Sequence, residues 1–164
     1  MYNRKNWIAV IIVILGIAIF IPFAQAQRQE FENIWCGAAT YNVMQFSKEI
    51  SAMSGDAKGI LRSTHESKLF DNWTTHSISV IKGQDGKWFW NGLGKRMAPD
   101  GEFIIMELSG NSEVGGNVKF IYGTGKWSGI KGEFKVKRLT TGKPITQGTE
   151  QHCERHEGWF ELPK

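Results

Sequence analysis

The sequence lacks the short motifs that mark several common enzyme classes. Its 164 residues contain no Gly-x-Ser-x-Gly elbow, no His-Glu-x-x-His pair and no phosphate-binding loop. Paired Cys-x-x-Cys motifs, which supply the ligands of many structural zinc sites, are absent as well. The formal net charge is only +4 and is spread along the chain, whereas a nucleic-acid surface needs a concentrated basic patch. We therefore expect no metal, no organic cofactor and no nucleic-acid partner.

Sustained helical periodicity is also missing after residue 26, and no internal repeat or low-complexity tract occurs. Short segments that alternate apolar and polar residues are separated by turn signals instead. These signals are Gly83-Gln84-Asp85-Gly86, Pro99-Asp100-Gly101 and Gly142-Lys143-Pro144. Regularly spaced short strands of this kind are typical of an all-β sandwich or barrel. Within this pattern, residues 47–56 are the segment that we expect to form a short helix or a loop.

The one long apolar run lies at the N-terminus. Residues 7–23 are almost wholly apolar, follow the basic pair Arg4 and Lys5, and lead into Ala24-Gln25-Ala26. A basic head, an apolar middle and an Ala-x-Ala end are the parts of a secretory signal peptide. We predict a signal peptide over residues 1–26, cleaved after Ala26, and a β-barrel domain over residues 27–164 that is periplasmic or secreted. The alternative is an uncleaved anchor, which would be the protein's contact with a membrane.

Only two cysteines are present, Cys36 and Cys153, near the two ends of the predicted mature chain. An even number of cysteines in an exported protein suggests a disulfide. The first and last strands of an antiparallel barrel are neighbours, so a bridge between them is geometrically reasonable. The alternative is a metal site that adds His152 and His156, although His-Cys-x-x-His is not a standard zinc spacing. We predict the disulfide.

Glycine is concentrated in the stretch from Tyr122 to Arg138, which ends in a run where Phe134 and Val136 alternate with lysines. Glycine within a strand marks a bulge, a sharp bend or a close approach of two chains. The stretch therefore predicts a chain that bends and continues as a half-buried strand, as a closing barrel requires. Its glycine spacing departs from Gly-x-Gly-x-x-Gly and no helix pattern follows, which argues against a dinucleotide site.

The segment Gly123-Thr124-Gly125-Lys126-Trp127-Ser128-Gly129-Ile130-Lys131-Gly132 resembles the glycine-rich strand of the allene oxide cyclase and dirigent barrel superfamily. Agreement in the spacing of the upstream strands is weaker. The resemblance implies a closed antiparallel barrel of about eight strands. It also implies that a cyclase-like reaction could take place in a hydrophobic cavity without a cofactor. None of that family's catalytic residues can be placed on this chain.

Tryptophan is the most informative residue type for a binding site. Trp88 and Trp90 stand two residues apart and share one strand face, as His76, Ile78 and Val80 do on the preceding strand. If these faces turn inward, they form a cavity with an aromatic wall, which is the usual form of a small-molecule site. A second possibility is that the aromatic side chains fill the barrel as a structural core. The candidate ligand-binding residues are Trp88, Trp90, Trp127, His76 and Glu107.

Two further expectations concern titratable groups. Glu107 lies in an apolar strand and points either into the barrel, where its pKa would be raised, or outward to solvent. His152 and His156 are expected at the surface of a charged C-terminal strand. The leading hypothesis is an exported barrel that binds a small, largely apolar ligand. The alternatives are a cofactor-free enzyme of the cyclase or dirigent type and a filled barrel with a structural or interaction role in the cell envelope.

Overall fold

Eight antiparallel strands follow one another along the chain and close into a barrel, in which the last strand pairs with the first. The strands are β1 (Gln29–Gln45), β2 (Ile50–Ser63), β3 (Thr74–Gln84), β4 (Lys87–Met97), β5 (Phe103–Asn111), β6 (Gly115–Gly123), β7 (Lys131–Thr141) and β8 (Thr149–Glu161). This computed structural model describes residues 27–163. The prediction of a closed, eight-stranded, antiparallel all-β barrel is confirmed. The predicted signal peptide lies outside the described residues and stays a prediction, as does the boundary at residue 26.

Side chains alternate between the inside and the outside of the barrel along the strands, because successive residues of a strand point to opposite faces, and the alternation is interrupted at two irregularities. On β4, for example, Gly94 and Arg96 are buried while their neighbours Leu93, Lys95 and Met97 are exposed. Register shifts at Ile105/Met106 on β5 and at Arg138/Thr140 on β7 add local bends to the sheet. Within residues 27–163, no helix is long and apolar enough to cross a membrane.

The prediction of a short helix or loop over residues 47–56 is wrong for most of that segment. Only residues 46–49 form the turn, and β2 begins at Ile50. The inward positions of β2 include Ser51, Gly55 and Gly59, which are small or polar, so the strand shows almost no apolar alternation. Its strand character comes from pairing with β1 and β3 along its whole length. By contrast, the predicted Asp85-Gly86 hairpin turn is confirmed, and both residues have positive φ as a primed turn requires.

The disulfide between Cys36 and Cys153 is confirmed. The two residues face each other in the register of β1 and β8, so the bond lies on the seam that closes the barrel. It links positions 117 residues apart. On the chain-entropy model, a loop of that length contributes about 5 kcal/mol to the free energy of unfolding.

One end of the barrel, here called the packed end, is filled by aromatic side chains. Phe31, Phe134 and Phe160 enter it from the strands, and the loop of residues 64–73 places Phe70 among them. The Phe70 ring lies 4.9 Å from that of Phe31 and 5.5 Å from that of Phe160. Aromatic pairs at these separations favour edge-to-face and tilted arrangements, which add to the effect of burial.

The glycine-rich stretch closes the same end. A short 3-10 turn, Gly125–Trp127, follows β6 and buries Trp127 beside Phe70, with ring centroids 5.3 Å apart. After this bend the chain runs on as β7, as the sequence pattern predicted. Gly132 has φ of 141°, and a Cβ at this position would overlap the backbone of Trp159 on β8. Glycine is therefore required where β7 approaches β8 most closely.

Candidate functional site

The other end of the barrel, here called the open end, contains a cavity of about 610 Å³. The turns at residues 46–49, 85–86, 112–114 and 142–148 surround its mouth. Its volume lies within the range of roughly 300–1,000 Å³ that is usual for small-molecule sites. Arg96, Met106 and Phe134 separate the cavity from the packed end and form its floor.

Trp88 and Trp90 form much of the aromatic wall of this cavity. Each indole ring lies close against a glycine of a neighbouring strand. A Cβ at Gly110 would lie 2.5 Å from Trp90 Cζ2, and one at Gly83 would lie 2.5 Å from Trp88 Cζ3. Because the missing glycine side chains leave room for the rings at the wall, two large residues occupy this end without filling it.

A line of hydroxyl groups on β3 faces the aromatic wall. Thr75, Ser77 and Ser79 all point into the cavity, since they alternate with outward residues along the strand. Thr75 Oγ1 accepts a hydrogen bond of 2.5 Å from Trp35 Nε1. The Trp35 indole packs in turn against the imidazole of His152, with ring centroids 4.9 Å apart. These contacts fix the orientation of His152 on the cavity wall.

A ladder of four titratable side chains on β8 forms the polar wall. Glu150, His152, Glu154 and His156 occupy alternate positions and therefore all point inward. His152 Nε2 lies 3.3 Å from Glu154 Oε1, and its Nδ1 lies 3.7 Å from Glu150 Oε1. The imidazole thus stands between two carboxylates, and its side chain is only 5% exposed.

His156 connects this ladder to Arg96 on the opposite side of the barrel. Arg96 Nη2 donates a hydrogen bond of 2.8 Å to His156 Nδ1. Since Nδ1 accepts, the imidazole proton is on Nε2, which faces Glu154 Oε2 at 3.5 Å. Burial, with a further contribution from the Arg96 charge, lowers the pKa of His156 to about 4. The neutral imidazole of His156 therefore links the guanidinium of Arg96 to the carboxylate of Glu154 through one hydrogen bond on each side.

Neighbouring side chains stabilise the negative charge of Glu154. Burial alone would raise the pKa of this carboxyl group, but the hydrogen bonds from His152 and His156 outweigh it and lower the pKa to about 2. Arg138 reinforces this state, because its Nε lies 3.4 Å from Glu154 Oε1. Glu154 is consequently ionised at neutral pH although it is largely buried.

Nearer the mouth, Glu150 lies between Arg138 and Tyr41. Arg138 Nη1 donates to Glu150 Oε1, and the Tyr41 hydroxyl donates to Glu150 Oε2 over 3.1 Å. Burial, together with the charge and the hydrogen bond of Glu150, raises the pKa of Tyr41 to about 12. Tyr41 therefore stays protonated at neutral pH and can donate its hydrogen bond to Glu150.

The structure brings together only some of the predicted site residues. Trp88 and Trp90 line the cavity, whereas Trp127 is buried at the packed end. His76 carries its imidazole on the outer face, 3.1 Å from Asp56 Oδ1, because its neighbours Thr75 and Ser77 point inward. Glu107 is also on the outer face, between the inward Met106 and Leu108. His76 is nevertheless among the residues that line the cavity, whereas Glu107 is not. Binding at these residues stays untested.

The expectation that His152 and His156 lie at the surface is wrong. They are 7% and 6% exposed and belong to the cavity wall and floor. Both faces of β8 are polar, so periodicity alone could not show which one points inward. The signal available in the sequence was the disulfide: if Cys153 faces outward near the seam, His152 and Glu154 must face the opposite side. Arg96 was not singled out at all, because a lone arginine in a strand is usually exposed.

In the part of the chain that the structure describes, no group of three or more histidine, cysteine or acidic residues is arranged to hold a metal ion. Neither a family model nor a curated protein sequence matches this chain.

Proposed function

We propose that the protein is an exported binding protein that holds a small, largely apolar molecule in the open end of the barrel. The observation that carries this proposal is the cavity of about 610 Å³ with Trp88 and Trp90 along its wall. A filled barrel would have closed this space with side chains, as happens at the packed end. An open apolar cavity with a few fixed polar groups is the usual form of a ligand site.

Export is part of the proposal. The Cys36–Cys153 disulfide is consistent with an oxidising compartment, and the N-terminal sequence has the three parts of a signal peptide. Mass spectrometry of protein from its native host should find a chain that begins at Gln27. A retained Met1 in membrane-bound material would favour the uncleaved anchor instead.

The binding proposal can be tested with the uncharged fluorescent dye N-phenyl-1-naphthylamine. We expect saturable binding to the purified protein in detergent-free buffer, with a rise in dye fluorescence. Trp90→Ala should weaken this binding at least fivefold, because the substitution removes part of the aromatic wall. Trp159→Ala is the matched control, since Trp159 lies outward on β8 beneath the guanidinium of Arg28. Absence of saturable binding, or equal loss in both variants, would rule the cavity out as the dye site.

A second candidate is a cofactor-free enzyme of the kind implied by the allene oxide cyclase and dirigent resemblance. It is favoured by the titratable groups on the cavity wall, above all the ionised Glu154 beside His152. A carboxylate and an imidazole within hydrogen-bond reach can move a proton on a bound molecule. A lipid extract of the producing cells, incubated with protein and compared by mass spectrometry with Glu154→Gln, would separate the two functions. Conversion that requires Glu154 indicates the enzyme, and unchanged spectra support the binding protein.

A further inference from the structure

The polar groups of the cavity differ in whether they already have hydrogen-bond partners. Both oxygens of Glu150 receive donors, from Arg138 and from Tyr41. Both oxygens of Glu154 have donors as well, since Oε1 is within 3.4 Å of His152 and Arg138, and Oε2 faces His156. The acidic groups of the cavity are therefore satisfied by the protein itself. A cationic ligand would have to break these pairs in order to bind them.

Arg96 is in the opposite situation. Its side chain is 1% exposed and extends from β4 across the barrel to His156 on β8. One face of the guanidinium lies 4.1 Å from the centroid of the Phe134 ring. Its Nη2 donates to His156, but Nε and Nη1 have no hydrogen-bond partner. Among residues 27–163, no carboxylate lies within salt-bridge distance of this guanidinium.

An unpaired guanidinium in this position is costly. Burial lowers the pKa of Arg96 to about 9, so the fold disfavours its charge, yet it remains protonated at neutral pH. The neutral imidazole of His156 accepts one hydrogen bond and supplies no negative charge of its own. Each two-donor edge of a guanidinium pairs Nη2 with either Nε or Nη1. Because His156 takes only one of the two N–H groups of Nη2, one such edge of Arg96 remains on which a carboxylate can form two parallel hydrogen bonds.

A second polar group without a partner lies in the same layer of the barrel. Asn33 is fully buried on β1, directly opposite His156 in the register of β1 and β8. Neither Nδ2 nor Oδ1 of Asn33 has a hydrogen-bond partner. Buried amides normally have partners, so this layer holds an unpaired donor and an unpaired acceptor in addition to the guanidinium donors. Of the two side chains Arg96 is the one that lines the cavity, and its unpaired donors are suited to an acceptor.

We propose that Arg96 binds the anionic head group of the ligand, so that the natural ligand is an amphipathic acid whose apolar body lies between Trp88 and Trp90. This inference rests on the proposed binding function and specifies its ligand class. The acid enters the mouth with its head group first and reaches the floor, where the edge of the Arg96 guanidinium that His156 leaves unused receives it. The head group is an oxyanion of the carboxylate type, and the apolar walls contact the remainder of the molecule.

The test compares two dyes that share one ring system. 1-Anilinonaphthalene-8-sulfonate carries an anionic group, and N-phenyl-1-naphthylamine is its uncharged counterpart. We expect the protein to bind the anionic dye at least tenfold more tightly than the neutral one. Arg96→Met should abolish this preference. Lys95→Met is the matched control, because it removes the same charge from the adjacent outward position on β4 and should keep the preference.

Competition identifies the head group with molecules closer to a natural ligand. Decanoate should displace N-phenyl-1-naphthylamine from the wild-type protein at least tenfold more effectively than decanol. In Arg96→Met the two competitors should become equivalent. Arg96→Lys should lie between wild type and Arg96→Met, since it keeps the charge but loses the paired donors.

The outcomes separate this inference from the function on which it rests. If neither dye binds, the proposed function fails. If the neutral dye binds but decanoate and decanol compete equally in the wild type, the barrel binds ligands and the inference about Arg96 is overturned. The same conclusion follows if Arg96→Met keeps the anionic preference. Should Arg96→Met not fold, as judged by circular dichroism, the wild-type comparison of decanoate with decanol still decides the question.

Discussion

The packed end and the open end of the barrel share one architecture but treat their interiors differently. At the packed end, inward positions carry large rings such as Phe31 and Phe160, and an inserted loop adds Phe70. At the open end, the corresponding positions on β2 and β3 carry small residues such as Ala57, Ser77 and Ser79. The difference shows that a small barrel can fill one half of its interior with side chains and leave a cavity in the other half.

The contrast extends to polar groups. The packed end buries almost only apolar rings, which contribute to stability in proportion to the apolar area removed from water. The open end buries Arg96 and Glu154, and buried charges are costly unless they are paired. The aromatic core and the proposed binding cavity thus lie at opposite ends of one sheet. Four experiments test this division, and they follow in order of decreasing expected effect.

The largest effect should come from breaking the seam that holds both ends. A Cys36→Ala/Cys153→Ala double variant should lose about 5 kcal/mol of unfolding free energy, because the unfolded chain regains the freedom of a long loop. Urea unfolding followed by tryptophan fluorescence measures this loss. Reduction of the wild-type protein should give a similar decrease. A decrease below about 1 kcal/mol would mean that the unfolded chain stays compact without the bridge.

The second experiment compares one aromatic residue from each end. Phe70→Ala should cost about 3–5 kcal/mol, because it leaves a cavity inside the packed aromatic cluster. Trp90→Ala should cost less than half as much, since Trp90 already borders open space. Unfolding in urea measures both losses, and dye titration measures binding. Dye affinity should fall in Trp90→Ala and remain close to wild type in Phe70→Ala at temperatures where that variant is folded. The reverse pattern would contradict the division between the ends.

The third experiment measures how the stability of the fold depends on pH through the buried residues His156 and Glu154 of β8. His156 is held neutral in the folded state by burial and by Arg96, with a pKa of about 4, and the unfolded chain protonates near 6.5. The unfolded state therefore binds more protons between these values, so stability is lost as the pH falls from about 6.5 to 4. The loss should be on the order of 3 kcal/mol. Below about pH 4.5 the unfolded chain also protonates Glu154, whose pKa in the folded state is about 2. The decline in stability should therefore continue.

His156→Gln should flatten the stability curve between pH 6.5 and 4, as measured by urea unfolding at a series of pH values. His65→Gln is the control, because His65 lies exposed in the loop of residues 64–73. That variant should keep the pH dependence of the wild type. A curve that stays equally steep in His156→Gln would assign the acid sensitivity to another group.

The smallest effects are expected on the outer face. His76→Ala and Glu107→Gln should leave dye affinity unchanged, because their side chains point away from the cavity. The melting temperature should also change little, as for most exposed positions. A fall in dye affinity in Glu107→Gln, with the fold intact, would mean that the dye binds on the outer face and would remove the cavity from consideration.

The sequence predicted the architecture well because its signals were local. The Asp85-Gly86 turn, the alternation in Phe134 and Val136, and the glycines from Gly123 to Gly132 each act over a few residues. Cys36 and Cys153 added one long-range restraint, and barrel closure was compatible with it. β2 was predicted poorly because its interior positions are small, which removes the alternation on which the prediction depends.

The candidate site was predictable only in part. Period-2 spacing correctly grouped Trp88 with Trp90, and His76 with Ile78 and Val80. It could not say which group faces inward, and Ile78 and Val80 are 57% and 66% exposed although they are apolar. Apolar character therefore misled the choice of inner face on β3, where the cavity side carries hydroxyl groups instead.

The sequence by itself determined most of the strands, the turns between several of them and the pairing of the two cysteines, because pleating and turn chemistry depend on neighbouring residues. Only the tertiary structure decided which face of each strand points inward and which end of the barrel is filled. Closure of the sheet sets these choices, since it places Arg96 opposite His156 across the lumen and brings the loop of Phe70 into one end alone. Those residues are far apart in the chain, so their meeting could not be derived from local pattern.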